Sequence, residues 1–371
     1  MSSLHSNPAA MAELPTASQA DDRAMAGAIA RWFAHHARPL PWRLSPRDPW
    51  LSLMSEILLQ QTQAARVAER FDAFATRFPS PSAMASRPVD DVLELWSGLG
   101  YYRRARLLHA CAKAIVEHHR GRVPESPEAL RALPGVGRYT AGAVASIVFG
   151  RRDPLVDGNV SRVLLRLHGI DQAVDDPGVQ PWAWRRAESL AQVARNVPRF
   201  SEGIMELGAV VCTPKAPSCE RCPLRTRCVA HQKGLVDRIP KPKSRMPRSP
   251  LSLTAIVVSD ALGRVLLEQR PEGGLWGGLW QPPCVERDAA APMGLAKSLV
   301  ALGLHRFVRP RGSFRELTAM TSHRAVRVRV WRAMALEPPS ASRARGRMAR
   351  WYATDEIAEL ALGSIQRRML E

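Results

Sequence analysis

The sequence predicts a mainly α N-terminal domain followed by a smaller α+β C-terminal domain. Three observations carry this. From about residue 24 to 211, apolar residues recur at helical spacing, punctuated by short Gly/Pro breaks, with few alternating stretches. A cysteine-rich segment at 212–228 then gives way to a basic, Pro-rich run, KGLVDRIPKPKSRMPRSP at 233–250, which reads as a semi-extended linker. Beyond it the texture changes to short, strand-like runs. The boundaries expected are a disordered tail at 1–23, a helical domain at 24–232, the linker at 233–250 and the second domain at 251–371, a division that suits a chain of 371 residues.

Composition narrows the partners. Lys and Arg number 53 against 34 acidic residues, a formal charge of +19, which draws the chain toward a polyanion such as nucleic acid. The first 20 residues are small and polar, without the apolar segment of a secretory signal. The longest apolar stretches, such as AGAVASIVF at 141–149, are far shorter than the ~20 residues a membrane span needs. A cytoplasmic, reducing setting is expected, where clustered cysteines favour metal over disulfide.

Taken in order, Asp48-Pro49 opens a helix with good capping chemistry, reading LSLMSEILLQQTQ. Glu56 sits there among Leu53, Ile57 and Leu58. A carboxyl in apolar surroundings has a raised pKa and suits a general acid near neutrality; an exposed or paired structural glutamate is the plainer alternative. Gln60, Gln61, Thr62 and Gln63 follow and offer groups suited to base edges. WSGLGYYRRAR at 96–106 sets Leu99, Tyr101 and Tyr102 beside Arg103, Arg104 and Arg106. Such an apolar and aromatic wedge next to cations can prise a duplex open; the alternative is a core aromatic pair beside a wet face.

Ser126-Pro127-Glu128 begins a short helix, Pro134-Gly135-Val136-Gly137 turns it, and a second helix runs from Tyr139 to Phe149. The glycines allow a sharp turn and a close approach, and the free N–H groups of the new helix suit a DNA phosphate. Asp157, in LVDGNVSRVLLRL, either caps the helix that begins near Asn159 or faces a cleft. Cys212-x6-Cys219-x2-Cys222-x5-Cys228 places four thiolates on one short segment, a set that suits zinc or an iron–sulfur cluster. Cys111 and Cys284 read as small buried residues. Lys215, Arg221, Arg225 and Arg227 lie among or beside the four and would be fixed by a bound group where phosphates pass. In the C-terminal part, LTAIVVSD and GRVLLEQR flank Ala261-Leu262 as a hairpin, 323–336 alternates as a strand, and IAELALGSIQRRML reads as a closing helix.

SEILLQQTQ, WSGLGYYRRAR, LPGVGRYTAGAV, VDGNVSRV and the cysteine spacing, in this order over about 50–230, resemble adenine DNA glycosylases of the MutY family, within the helix-hairpin-helix superfamily of endonuclease III. GLWGGLWQPP at 274–283 resembles the start of that family's Nudix-like C-terminal domain. The resemblance implies a mainly α helix-hairpin-helix glycosylase domain with a [4Fe–4S] cluster loop, a Nudix-like recognition domain, and removal of adenine mispaired with 8-oxoguanine or guanine in double-stranded DNA by a monomeric enzyme. It implies that Glu56 protonates N7 of the extruded adenine and then activates water. It further implies that Asp157 stabilises the oxocarbenium-like sugar beside Tyr139, that Asn159 orders the site, and that Cys212, Cys219, Cys222 and Cys228 ligate the cluster. DNA contact falls to Gln61, Thr62, Leu99, Tyr101, Gly135, Val136, Gly137 and Lys215, with Ser322 and His323 reading the oxidised base.

The chemistry agrees, since N-glycosidic cleavage needs an acid for the base and an anion for the developing cation. Tyr139 stands where relatives resembling endonuclease III carry a Schiff-base lysine, which predicts a monofunctional enzyme. Two departures stand out. Thr321 occupies the place of a family aromatic before Ser322-His323. AKSLVALGLHRFVRPRG at 296–312 lacks the acidic box of active Nudix hydrolases, which marks this domain as a reader and not a hydrolase.

Overall fold

The computed structural model describes residues 18–242, 247–271, 273–321, 323–336 and 349–371. The chain forms two compact units, one built from 1–86 and 110–244, the other from 87–109 and 245–371. In chain order the helices are α1 (Gln19–His36), α2 (Pro49–Leu59), α3 (Ala64–Arg77), α4 (Pro81–Ala85), α5 (Val89–Leu95), α6 (Arg103–His119), α7 (Pro127–Ala132), α8 (Arg138–Ile147), α9 (Gly158–His168), α10 (Val179–Val193), α11 (Val197–Val210) and α12 (Val229–Gln232). Then come β1 (Ser249–Ser259), β2 (Val265–Gln269), β3 (Trp280–Gln281), β4 (Cys284–Arg287), α13 (Leu295–Leu302), β5 (Val308–Met320), β6 (Arg324–Ala335), β7 (Ala349–Tyr352), α14 (Thr354–Glu359) and α15 (Ser364–Leu370).

The first unit is helical, as the 3.6-residue periodicity predicts. Met25, Ile29 and Phe33 of α1 bury against a core that includes Val160 and Leu164 of α9 and Phe200, Ile204 and Leu207 of α11. Asp48 caps α2 by accepting from the Leu51 amide at 2.7 Å, and Ser126 caps α7 from the Ala129 amide at 3.1 Å. Gly169 closes α9 in the left-handed conformation.

Among the described residues, the second unit holds a mixed sheet of seven strands in the order β3-β2-β1-β6-β5, with β4 also on β1 and β7 on β2. β1 and β6 run parallel, placing Leu253 beside Val328, and the other pairs are antiparallel. β1 is buried on both faces. Leu253, Val328 and Leu317 meet Ile365 and Met369 of α15 on one side, while Ile256 and Ala333 meet Leu299 of α13 on the other. The β1–β2 hairpin and the strand at 323–336 form as the alternation predicts.

Four expectations are corrected. The tail does not extend to 23: Ser18 caps α1 by accepting from the Asp21 amide at 3.2 Å, and buried Asp22 pairs with buried Arg186 of α10, whose Nη1 donates at 2.7 Å. Residues 1–17 of that tail lie outside the described residues. The linker's first part is packed, with Ile239 buried and its carbonyl accepting from Arg166 Nε at 2.7 Å, and the linker's last two residues already belong to β1. Residues 87–109 group with the C-terminal residues, because Tyr102 and Ser97 bond to Leu362 and Arg367. The closing helix is two helices: the Ala361 and Leu362 carbonyls accept from Trp280 N and the Tyr102 hydroxyl instead of continuing a helical ladder, and Gly363 starts α15.

Candidate active site

Glu56, Tyr139, Asp157, Asn159, Gln61 and Thr62 line one cleft of about 730 Å³ in the first unit. The sequence spreads them over three helices and their ends. α2 brings Glu56, α8 brings Tyr139 and the start of α9 brings Asp157 and Asn159.

Glu56 is only 8% exposed, with Leu53, Met54, Ile57 and Leu58 of α2 all buried around it. Burial raises its carboxyl to about 7; hydrogen bonding to Tyr139 works against this, the Asp157 and Glu202 charges reinforce it, and Arg43 opposes it. The carboxyl is therefore substantially protonated at neutrality. Burial, then the Glu56 and Asp157 charges, hold the Tyr139 hydroxyl well above its ordinary pKa, so it remains a proton donor. It also lies 3.7 Å from the Met205 thioether.

Asp157 fills both roles that the sequence leaves open. Its Oδ1 accepts from the Val160 amide at 2.7 Å and caps α9, while Oδ2 accepts from Asn159 Nδ2 at 3.1 Å at the cleft wall. Asn159 Oδ1 in turn accepts from Arg162 Nη2 at 2.8 Å. The same guanidinium donates to the Gly208 carbonyl and, through Nε, to the Cys212 carbonyl, each at 2.7 Å. Only glycine fits at 208, since a Cβ there would stand 2.8 Å from the Asn159 Cβ and 3.0 Å from its carbonyl oxygen.

The turn between α7 and α8 follows the expected hairpin. Gly135 has φ +78°, Val136 is buried, and Gly137 is the N-cap of α8. Gln60, expected among the base-reading amides, is spent on structure: its Nε2 donates to the Gly135 carbonyl at 3.2 Å and to Thr140 Oγ1 at 3.3 Å. Gln61 is exposed with φ +57°.

A charged network at the same cleft escapes the sequence reading. Arg38 and Arg43 donate to Glu206 at 2.7 and 2.9 Å, and Arg47 to Glu202 at 2.5 Å. Burial works to raise the Glu206 carboxyl, but the Arg38 and Arg43 hydrogen bonds prevail and hold it down to about 2. The one local signal is the four-residue spacing of Glu202 and Glu206, which puts both on one face of α11.

Around the four cysteines, all partly buried, the loop is pinned to α9. Arg166, 2% exposed, donates to the Thr213 carbonyl at 2.7 Å and reaches the Cys212 thiol at 3.4 Å, and the Cys228 thiol meets the Arg166 carbonyl at 3.4 Å. Among the described residues no three His, Cys, Asp or Glu side chains stand close enough to hold a metal ion as placed. The donor set itself, four soft thiols half-buried on one loop with a buried guanidinium at its base, fits a sulfur-ligated anionic group. Lys215 is exposed on this loop; Cys111 and Cys284 are buried, as expected.

The remaining expected DNA contacts lie in the second unit. Tyr101 is 52% exposed with φ +49°, whereas Leu99 is buried. His323 is exposed; Ser322 lies outside the described residues. Thr321 is bound into the β5–β6 turn, with its Oγ1 accepting from the Arg324 amide at 3.0 Å. Among the described residues no helix is long and apolar enough to cross a membrane.

The sequence profile described as HhH-GPD superfamily base excision DNA repair protein matches residues 54–180, and that of the NUDIX domain matches 254–371. An adenine DNA glycosylase of Mus musculus is 32% identical, over 94% of this chain and 78% of its own length. One of Mycobacterium tuberculosis is 44% identical over 53% of this chain and 64% of its own. A solved thermostable thymine-DNA glycosylase superposes over 58% of this chain and all of its own, with a TM-score of 0.50 and 28% identity. A trapped endonuclease III–DNA covalent intermediate matches at TM-score 0.50 over 59% of this chain and all of its own, and at 24% identity shows the shared fold alone. The fold class expected from the sequence is borne out in both domains, and with relatives aligned across most of both chains, this chain belongs to the adenine DNA glycosylase family.

Proposed function

We propose that the chain removes adenine paired with 8-oxoguanine or guanine from double-stranded DNA by hydrolysing the N-glycosidic bond, and that it leaves the strand intact. The observation that carries this is the pairing, in one cleft, of a buried Glu56 carboxyl titrating at about 7 with the helix-capping Asp157. With the adenine extruded into the cleft, Glu56 gives its proton to N7, and the C1′–N9 bond breaks with its electron pair leaving on the base. The sugar becomes an oxocarbenium-like cation, faced by the Asp157 carboxylate that Asn159 orients. The Glu56 carboxylate then takes a proton from the water that attacks C1′. Tyr139 brings a hydroxyl and no amine, so no Schiff base forms and the abasic strand is not cut.

Gly135 and Gly137 offer backbone N–H groups to a phosphate, while Val136 between them holds the turn, its own N–H donating to the Leu133 carbonyl at 3.1 Å. Gln61, Thr62 and the exposed Tyr101 enter or line the duplex, buried Leu99 supports the loop that carries Tyr101, Lys215 meets the backbone, and Ser322 with His323 reads the oxidised base. Cys212, Cys219, Cys222 and Cys228 would hold a [4Fe–4S] cluster, whose contribution is to fold and anchor their loop. The working unit is a monomer acting on cytoplasmic DNA, away from membranes.

The test is to incubate the purified protein with duplexes carrying adenine opposite 8-oxoguanine, guanine, cytosine or thymine, and to count abasic sites with and without hot alkali. Strand breaks that appear only after alkali, confined to the first two duplexes, support the reading. Breaks without alkali, or a borohydride-trapped covalent adduct, would indicate a lyase instead.

A further inference from the structure

The loop at 96–102 is held in an unusual conformation. Gly98 and Gly100 have φ of +88° and +73°, and between Gly100 and Tyr102 the non-glycine Tyr101 also takes φ +49°, a region that costs a bulky residue free energy unless its surroundings enforce it. Inside the loop, Trp96 Nε1 donates to the Gly100 carbonyl at 2.8 Å, and the Arg104 guanidinium stands 5.1 Å from the Trp96 ring and 5.5 Å from the Tyr101 ring. Tyr101 remains 52% exposed.

Both ends of this loop are gripped by C-terminal residues of the same unit. At its C-terminal end, the buried Tyr102 hydroxyl donates to the Leu362 carbonyl at 3.0 Å. Near its N-terminal end, Arg367 Nη2 of α15 donates to Ser97 Oγ at 3.3 Å. One turn further along α6, Arg106 Nη2 donates to the Gly278 carbonyl at 3.3 Å, and its guanidinium fills the place a Cβ on Gly278 would take, 2.0 Å away. The break between α14 and α15, which frees the Leu362 carbonyl, is what makes the Tyr102 bond possible.

From these contacts we infer that Tyr102 and Arg367 are positioning residues through which the C-terminal domain sets the duplex-opening loop, so that the domain governs base extrusion as well as reading of the opposite base. The inference rests on the reading that Tyr101, the exposed residue of this loop, intrudes on the duplex. Neither positioning residue touches the adenine. Each acts by holding the ends of a strained loop, so its loss lets the loop relax and blunts the wedge without altering Glu56 or Asp157.

The test uses the full-length protein with the substitutions Tyr102→Phe and Arg367→Gln, singly and together. A duplex carrying 2-aminopurine beside the adenine opposite 8-oxoguanine reports, by stopped-flow fluorescence, the rate at which adenine leaves the stack. A second duplex, with a reduced abasic analogue already opposite 8-oxoguanine, reports affinity when no base has to leave. The expected result is that the double variant extrudes adenine roughly tenfold more slowly, the rate equivalent of a lost hydrogen bond or two, while binding the abasic duplex as tightly as the parent. Tyr102→Phe, which keeps the ring and its packing, is expected to show the same selective loss to a smaller degree. Equal loss on both duplexes would mean that the contacts only support the fold, and unchanged extrusion would mean that they do nothing for the wedge; either overturns the inference. Failure of the unsubstituted protein to release adenine at all would instead overturn the excision reading on which it stands.

Discussion

Arg162 Nη2 donates to Asn159 Oδ1 at 2.8 Å, and this bond joins the cleft carboxylate to the cysteine loop. From Asp157 the contacts pass to Asn159, to Arg162 and to the Cys212 carbonyl. Arg162 is 7% exposed, and of its three acceptors the Gly208 carbonyl is buried and cannot turn to water when the guanidinium is removed, while Asn159 and Cys212 are half-buried. Arg162→Met is expected to destabilise the protein by about 2–4 kcal/mol, since buried acceptors left unmade cost roughly 1–3 kcal/mol each and partly share relaxation. Urea unfolding measures this. A variant as stable as the parent, with an unchanged excision rate, would show that the connection carries no weight.

The cysteine loop is expected to serve structure before chemistry. Purified protein should contain iron and acid-labile sulfide in equal amounts, and Cys219→Ser should lose both together with DNA affinity or folding stability. Glu56 and Asp157 lie on helices outside the loop, so a Cys219→Ser protein that binds DNA normally and fails only in bond cleavage would count against this division.

The Glu56 carboxyl sets a pH window. Its folded pKa of about 7 lies above the 4.5 of a solvated glutamate. Below 4.5 the group is neutral in both states and takes nothing from stability. As pH rises from 4.5 to about 7, the unfolded chain ionises while the buried carboxyl keeps its proton, and stability on the order of 3 kcal/mol is lost, with no further loss once pH passes the folded value. Glu56→Gln should therefore be more stable than the parent at pH 8 and indistinguishable at pH 4, in thermal melts at both values. The single-turnover excision rate of the parent should fall as pH rises above 7.

Tyr139→Phe tests the hydrogen bond that tempers Glu56. That bond favours the ionised carboxylate, so its removal should move the alkaline limb of the rate profile to higher pH. A limb that moves to lower pH would mean that Tyr139 acts on another group.

How legible the site was depends on range. Glu56 and Asp157 are readable because each is defined by its neighbours in sequence, one inside an apolar helix and the other at a cap. The Arg43–Glu206 pair is not, since its partners are 163 residues apart and each alone looks like a solvated charge. The tail boundary failed because Asp22 is pinned by Arg186, again a distant partner. The closing helix failed because its periodicity runs unbroken through Leu360–Gly363, while the carbonyls of Ala361 and Leu362 are claimed by Trp280 and Tyr102. Thr321 departs from the family's aromatic, and in place of stacking its hydroxyl fixes the β5–β6 turn, a role visible only once Arg324 is seen to close it.

The central claim is that Glu56 is the acid that releases the base. It is tested most directly by single-turnover adenine release from an adenine·8-oxoguanine duplex by Glu56→Gln, with DNA affinity measured on the same preparation. The account predicts a fall in rate of roughly a thousandfold, the scale of a lost general acid, with affinity unchanged. Adenine release at the parent rate would contradict it.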